Sequence, residues 1–332
     1  MRPTAQQEES QDDGLLACWQ LDGEGGGREL GFDEAKPLIG QGKPVWLHFH
    51  LDDQGKALAE DLGRLLPAGV VEELFDPDTR PRLTSYRRGA LVNLRGVNLN
   101  PGANPEDMIS LRIWLSEDLI LTVRRRPLMS VRELQSRLSS SEEDGPRQAG
   151  DFLAQISQAL VSRMSDELDR LNDILDGYEE FDDLPEEDQR GLAGLRRAVV
   201  KLRRFLAPQN AALAQAAGLE KSWIQPSDRQ ALGLVVDDLQ RNLEDLDLVR
   251  DRCAILKDAL YVRTQDRMNK TVFHLTIITG IFLPLSFVTG LLGVNLGGVP
   301  GIEDPGAFWW LVVVLVVMGA GEFVYLKWRR FF

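Results

Sequence analysis

The chain has 332 residues and a formal net charge of -13, from 38 Lys and Arg against 51 Asp and Glu. That length accommodates two or three domains with a substantial core. The acidic balance excludes a general nucleic-acid binder, which presents a basic face, and a 43% hydrophobic content excludes a disordered chain.

In chain order, the first residues (MRPTAQQEESQDDG) are polar and acidic and lack the charged and apolar regions of a signal peptide. Residues 14–125 read as mixed α/β. GLLACWQL, PVWLHFHL, ALVNLRGVNL, MISLRIWL and DLILTVR are short apolar, β-branched runs separated by turn signals, with LSED as a hairpin between the last two. KALAEDLGRLL and PLMSVRELQSRL carry a helical period. His48 and His50 alternate on a strand and face one side, with Asp52 next on it. His-x-His is a zinc-ligand spacing, although a lone pair of this kind is more often structural. Asn98 and Asn100 read as structural residues of a strand and turn.

From about Gly150 the pattern is helical. One long helix precedes a break at Leu184-Pro185, and a second runs from about Glu186 to Gln215. Between them lies an acidic run, Glu179, Glu180, Asp182, Asp183, Glu186, Glu187 and Asp188, either a solvated tip or a cation-attracting site. Ser227 with Gln230 predicts a capping box. From there Leu232, Val235, Leu239, Leu246, Val249, Cys253, Leu256 and Leu260 mark a coiled-coil-like stripe. No Gly or Pro falls between Gly233 and Gly280, so this helix is expected to run unbroken into the apolar segment that begins at Thr271.

Thr271 to Leu292 is 22 residues without an acid or a Lys or Arg, and Phe308 to Leu326 is 19 residues with one acid, Glu322. Each reaches the ~20 apolar residues that a membrane-spanning helix needs. Arg263, Arg267 and Lys270 precede the first span, and Lys327, Arg329 and Arg330 come after the second. The loop between carries no Lys or Arg, so the positive-inside rule predicts both termini in the cytoplasm and the loop outside. Acids and bases balance in residues 271–332, which leaves the whole negative charge on residues 1–270, where it would concentrate cations. The chain thus reads as three segments: a cytoplasmic α/β domain, residues 1–145; a cytoplasmic helical domain and stalk helix, 146–270; and a transmembrane hairpin, 271–332.

Directly after the first span comes Gly293-Val294-Asn295. A Gly-x-Asn at the outer end of the first of two C-terminal spans, after a long charged helix and an α/β domain, resembles the CorA-type metal ion transporter family. The strings Gly290-Leu-Leu-Gly-Val-Asn-Leu-Gly-Gly-Val-Pro-Gly301 and Leu94-Arg-Gly-Val-Asn-Leu-Asn-Pro-Gly102, with Pro105-Glu-Asp-Met108, are similar to its zinc-transporter (ZntB) branch. The resemblance covers nearly the whole chain. The magnesium branch usually shows Tyr-Gly-Met-Asn where this chain has Leu292-Gly-Val-Asn.

The resemblance implies a homopentamer with a funnel-shaped cytoplasmic part, in the inner membrane, whose first spans line the pore and whose second spans face lipid. A single hairpin cannot enclose a hydrophilic path, which points to oligomerisation independently. Five copies of Asn295 would ring the outer mouth with amides able to hold a hydrated cation weakly; Asn as a helix C-cap is the alternative reading. Counting back at helical spacing gives Gly290, Ser286, Leu283, Thr279, Thr276 and Val272 as the pore-lining stripe, its hydroxyls either facing the ion's water shell or bonding their own helix. Pro284 is expected to loosen the helix near the Gly280 carbonyl. His274 and Glu322 are intramembrane ionisable residues, with a structural role as the alternative, pairing with Lys327 in the case of Glu322.

The expected ion is Zn2+, with Mg2+, Co2+, Ni2+ and Cd2+ as alternatives; the expected partners are other copies of the chain, the bilayer and divalent cations. With three His and two Cys in all, a metal is expected to meet oxygen ligands, water or a site shared between subunits. No P-loop, HExxH or nucleophile–base pair is present, so neither an enzyme nor a cofactor is expected and transport draws on a gradient, for which the resemblance to the zinc branch implies either coupling to protons or simple downhill flow. A membrane-tethered signalling protein is the reading from another class, and it leaves the polar stripe unexplained.

Overall fold

Alternating and continuous apolar runs in residues 15–124 pair into one seven-stranded sheet. The computed structural model describes residues 14–51, 62–67, 69–76, 79–140, 142–181, 184–294, 301 and 304–328. The strands are β1 (Leu15–Leu21), β2 (Gly27–Glu29), β3 (Val45–His50), β4 (Arg82–Ser85), β5 (Gly89–Gly96), β6 (Ile109–Ser116) and β7 (Leu119–Arg124). Their order is β2-β1-β3-β7-β6-β5-β4. Only the β3–β7 pair is parallel; the others are antiparallel. The five expected strands and the LSED hairpin form as read. The short polar segments β2 and β4 are additions at the two edges.

Both faces of the sheet are covered, which is why β5 and β7 are buried along nearly their whole length instead of at alternate residues. One face carries Leu47, Phe49, Leu91, Trp114 and Leu121 under Val70 and Leu74 of α2 (Val70–Phe75) and Phe32 of α1 (Phe32–Ala35). The other face carries Trp46, whose ring meets Phe152 of α4 (Ala149–Glu179) at 4.8 Å. The helix α3 (Met129–Leu138) precedes α4, and α5 (Glu186–Ala217) comes after it. At the β4 edge Glu73 of α2 accepts hydrogen bonds from Arg82, Thr84 and Tyr86 at 2.8–3.0 Å. Desolvation opposes its charge, but these three donors more than offset it and hold the carboxyl below its ordinary value.

The helix α6 (Pro226–Leu292) is continuous over 67 residues, as its sequence predicts. Its capping differs from the expected Ser227 box. Gln225 is the cap: its carbonyl takes the first helical bond, from the Arg229 N–H at 3.1 Å, and its own N–H donates to Asp228 Oδ2 at 2.8 Å. The reciprocal acid therefore sits at Asp228, with Pro226 at the first helical position, where a missing N–H costs nothing. All eight apolar stripe residues from Leu232 to Leu260 are buried. Between them Asn242 and Ser165 of α4 exchange hydrogen bonds at 3.1 Å. The chain divides into two compact units at Leu256/Lys257, inside α6. Residues 14–145 and the helices α4 and α5 belong to the first unit.

Candidate ion pathway

In the second unit, the end of α6 and the whole of α7 (Ala307–Trp328) are long and apolar enough to cross a membrane. Large apolar side chains, among them Val272, Leu283, Phe287, Trp309 and Val316, stand half or more exposed along them. Such a surface fits lipid or neighbouring chains and does not suit water.

The two spans share a seam. In α6 the half-buried positions are 273, 277, 281, 284, 285 and 288; in α7 they include 311, 315, 318, 319, 322 and 326. A Cβ added to Gly319 would lie 3.8 Å from Leu285, so the two rows meet there. The expected stripe, Val272, Thr276, Thr279, Leu283, Ser286 and Gly290, is exposed at every position. At ~100° per residue its members fall within an arc of ~80°, about 150° from the centre of the seam, and extend over ~27 Å of helix. The stripe therefore lies on the side of α6 turned away from its own hairpin partner. His274 lies about 160° from the stripe line and is exposed.

Thr276 Oγ1 donates to the Val272 carbonyl and Thr279 Oγ1 to the Leu275 carbonyl, each at 2.8 Å. The hydroxyl protons are thus committed to the helix, while the oxygens keep lone pairs with which to accept. A hydrated cation presents water hydrogens outward, so acceptors are what its shell requires. Pro284 does not interrupt the helix. At the helix end Gly293 N–H donates to the Thr289 carbonyl at 2.9 Å. A Cβ on Gly293 would sit 2.9 Å from that same oxygen, closer than a side-chain carbon is tolerated. Val294, next in the chain, is exposed, and Asn295 lies outside the described residues.

Of the remaining candidates, His48 is buried at 1% exposure. Its Nδ1 is 2.7 Å from Thr122 Oγ1 and its Nε2 accepts from Arg124 Nε at 2.9 Å. Thr122 Oγ1 also accepts from Trp46 Nε1 at 2.8 Å. Both ring nitrogens are engaged within the sheet, so His48 is a structural residue there and offers no free nitrogen to zinc. Burial, and then the neighbouring Arg124 charge, push its pKa down to about 3, which keeps the ring neutral. His50 is half-buried on the same face; Asp52 lies outside the described residues.

In the acidic run Glu179 pairs with Arg252 at 2.6 Å, while Glu186 lies 3.9 Å from Arg190. Glu180 and Glu187 are exposed and Asp188 is half-buried; Asp182 and Asp183 lie outside the described residues. Among the described residues no group of three His, Cys, Asp or Glu is placed to hold a metal ion. Glu322 lies in the hairpin seam with Oε2 enclosed and without a hydrogen-bond partner, and the expected pairing with Lys327 does not form among the described residues. Asn98 and Asn100 are structural: Asn100 Nδ2 donates to Asn98 Oδ1 at 2.8 Å and to the Pro127 carbonyl at 3.0 Å. Sequence reading missed the seam and the crowding at Gly293. The period of the seam was present in Phe273, Ile277, Ile281 and Leu285, but an apolar residue in a membrane span carries no sign of which neighbour it meets.

A family model described as "CorA-like Mg2+ transporter protein" matches residues 41–329. The chain belongs to this CorA-like family. The CorA-like chain is 39% identical to the "Divalent cation transporter CmaX" of Pseudomonas aeruginosa, over 97% of this chain and 98% of that one. It is 34% identical to the "Zinc transport protein ZntB" of Pectobacterium atrosepticum, over 96% of each. Among solved structures, that of full-length CmaX superposes with a TM-score of 0.80 at 36% identity, covering 98% of this chain and 99% of that one. As a CorA-like protein, the chain is a membrane transporter of divalent cations and not an enzyme. Its fold is an α/β domain followed by long helices and two C-terminal spans.

Proposed function

We propose that this CorA-like chain carries zinc through a homopentameric pore in the inner membrane, driven by an ion gradient. Residues 1–145 and 146–270 form its cytoplasmic α/β and helical parts, and 271–332 the membrane hairpin, with both termini inside. The observation that carries the pathway is the exposed stripe of α6 on the side opposite the hairpin seam. One hairpin leaves that stripe without a partner, and five stripes around an axis would give each a wall of a water-filled path. Thr276, Thr279 and Ser286 supply acceptors for a hydrated ion, Val272 and Leu283 supply apolar constrictions, and Gly290 supplies room. Gly293, Val294 and Asn295 form the mouth, with the Asn295 amides binding the water shell. The negative charge of residues 1–270 raises the local cation concentration.

Zinc is favoured by the likeness to ZntB and by Leu292-Gly-Val-Asn at the mouth. Magnesium is the second reading, favoured by the description of the family. The oxygen-only stripe suits either ion in hydrated form. Purified protein in liposomes, with and without a pH gradient, separates the two. Zinc flux exceeding magnesium flux is expected; robust magnesium flux without zinc flux would reverse the assignment.

A further inference from the structure

One end of the sheet holds a cleft of about 630 Å3, lined from β5, β6, the end of β7 and α5. Six of its lining residues are cations, Arg95, Arg112, Arg125, Arg126, Lys201 and Arg204, against the two acids Glu106 and Asp107. In a chain of net charge -13 this is a local reversal of sign. The acids answer Lys201, which stands 3.1 Å from Asp107 and 3.8 Å from Glu106. Arg95 is spent on the protein: it donates to the carbonyls of Thr79 and Met108 and to the Thr79 hydroxyl. Its guanidinium also lies 4.0 Å from the centroid of the Phe205 ring.

Arg112 is the informative residue. It sits in the middle of β6, paired with Asn93 of β5 and Val123 of β7, and is 1% exposed. Its Nη2 donates to the Asp76 carbonyl at 2.8 Å. Its Nε and Nη1 are enclosed and have no partner among the described residues, and neither amide atom of the adjacent Asn93 has one. Folded proteins rarely leave buried donors unmade, because each carries its full desolvation cost, and a guanidinium carries more. Burial, and then repulsion from Arg125, lower its pKa to about 10, so it stays charged at neutral pH. The Asp76 carboxylate attracts Arg112 but is shared with Arg82 at 3.4 Å, so among the described residues the buried charge is short of counter-charge inside a cleft with an excess of cations, which marks the place of an anion.

We propose that this cleft binds a phosphate-bearing anion, with Arg112 at its closed end and Arg126, Lys201 and Arg204 at its mouth. A phosphate group matches the need best. It brings several acceptor oxygens and more than one negative charge, where chloride brings one charge and no directed acceptors. The cleft is of the size that holds a small molecule. Arg95 already covers one face of Phe205, so charge and hydrogen bonding, and not base stacking, dominate recognition.

The test is isothermal titration of orthophosphate, pyrophosphate and ATP into the full-length protein in detergent, with divalent cations chelated and ionic strength held constant. Saturable binding of at least one is expected, one per protomer, weakened tenfold or more by Arg112→Gln. Orthophosphate or pyrophosphate binding at least as tightly as ATP points to inorganic phosphate; tighter ATP binding points to a nucleotide. If Arg112→Gln does not fold, Arg126→Ser and Lys201→Ser serve instead; each should weaken binding several-fold, whereas Arg241→Ser, at an exposed residue that does not line the cleft, should not. No saturable heat from any of the three ligands would overturn the proposal and leave Arg112 to buried water. Heats that are the same in wild type and in every cleft variant would also overturn it, as an ion atmosphere without a site.

Discussion

A neutral histidine closed inside a sheet responds to acid in one direction. His48 has its folded pKa pushed down to about 3, while the unfolded side chain titrates near its ordinary value of 6.5. As pH falls below the unfolded value, the unfolded chain takes up a proton that the native sheet refuses. The native state therefore keeps this contribution above about pH 6.5 and loses it progressively toward pH 3, by at most ~1.4 kcal/mol per pH unit. His48→Asn keeps a donor and an acceptor but cannot titrate. The fall in melting temperature between pH 7 and pH 5 should be smaller in His48→Asn than in wild type; an identical fall would show that His48 does not carry the acid sensitivity. The shared face of His48 and His50 was legible from their spacing. The partners were not, because Thr122 and Arg124 lie 74 and 76 residues further on and reach His48 only through the parallel register of β3 with β7. Arg112 was hidden in the same way: its charge within MISLRIWL is visible, but the cations that surround it come from three other segments.

At the scale of elements, the strands with β-branched and apolar runs and, among the described residues, the helices with a 3.6-residue period were readable, because each buries a face that its own composition dictates; most of KALAEDLGRLL lies outside the described residues. The edge strands β2 and β4 were not. Gly-Arg-Glu and Arg-Leu-Thr-Ser gain their strand form from a neighbour's unpaired edge and, for β4, from the Glu73 hydrogen bonds. The start of α6 was displaced by one signal: Ser227 has the right residue type, but Pro226 before it already occupies the first helical position, so the reciprocal acid is Asp228. The end of the first span is more tightly constrained. Gly293 closes the helix onto the Thr289 carbonyl, and a Cβ there would be 2.9 Å from that oxygen. Gly293→Ala must therefore shift the helix end that carries the proposed mouth. Divalent-cation flux in liposomes should drop about tenfold or more, on the scale of ~1.4 kcal/mol per decade, with assembly unchanged. Wild-type flux in the assembled variant would show that the helix end accommodates the methyl.

For the whole molecule, the two spans leave a continuous polar and apolar stripe on one side of α6 and a seam on the other. The proposed pentamer gives that stripe its partners. Native mass spectrometry from detergent should give a pentamer as the main species; a monomer or dimer as the only species would remove the pore. That these six positions share one exposed face was legible, since the counting from Gly293 needs only the helical period. Its orientation away from the hairpin partner was not, because that depends on where α7 packs.

Everything proposed for transport rests on the stripe being the ion's path. Cys18 and Cys253 are both buried, which leaves a quiet background for a thiol placed on α6. In liposomes carrying Thr279→Cys, a charged, water-soluble thiol reagent should block zinc flux, while the same reagent should leave flux through Ile281→Cys, on the hairpin seam, unchanged. Block at Ile281→Cys with free flux at Thr279→Cys, or no block at either, would contradict that path.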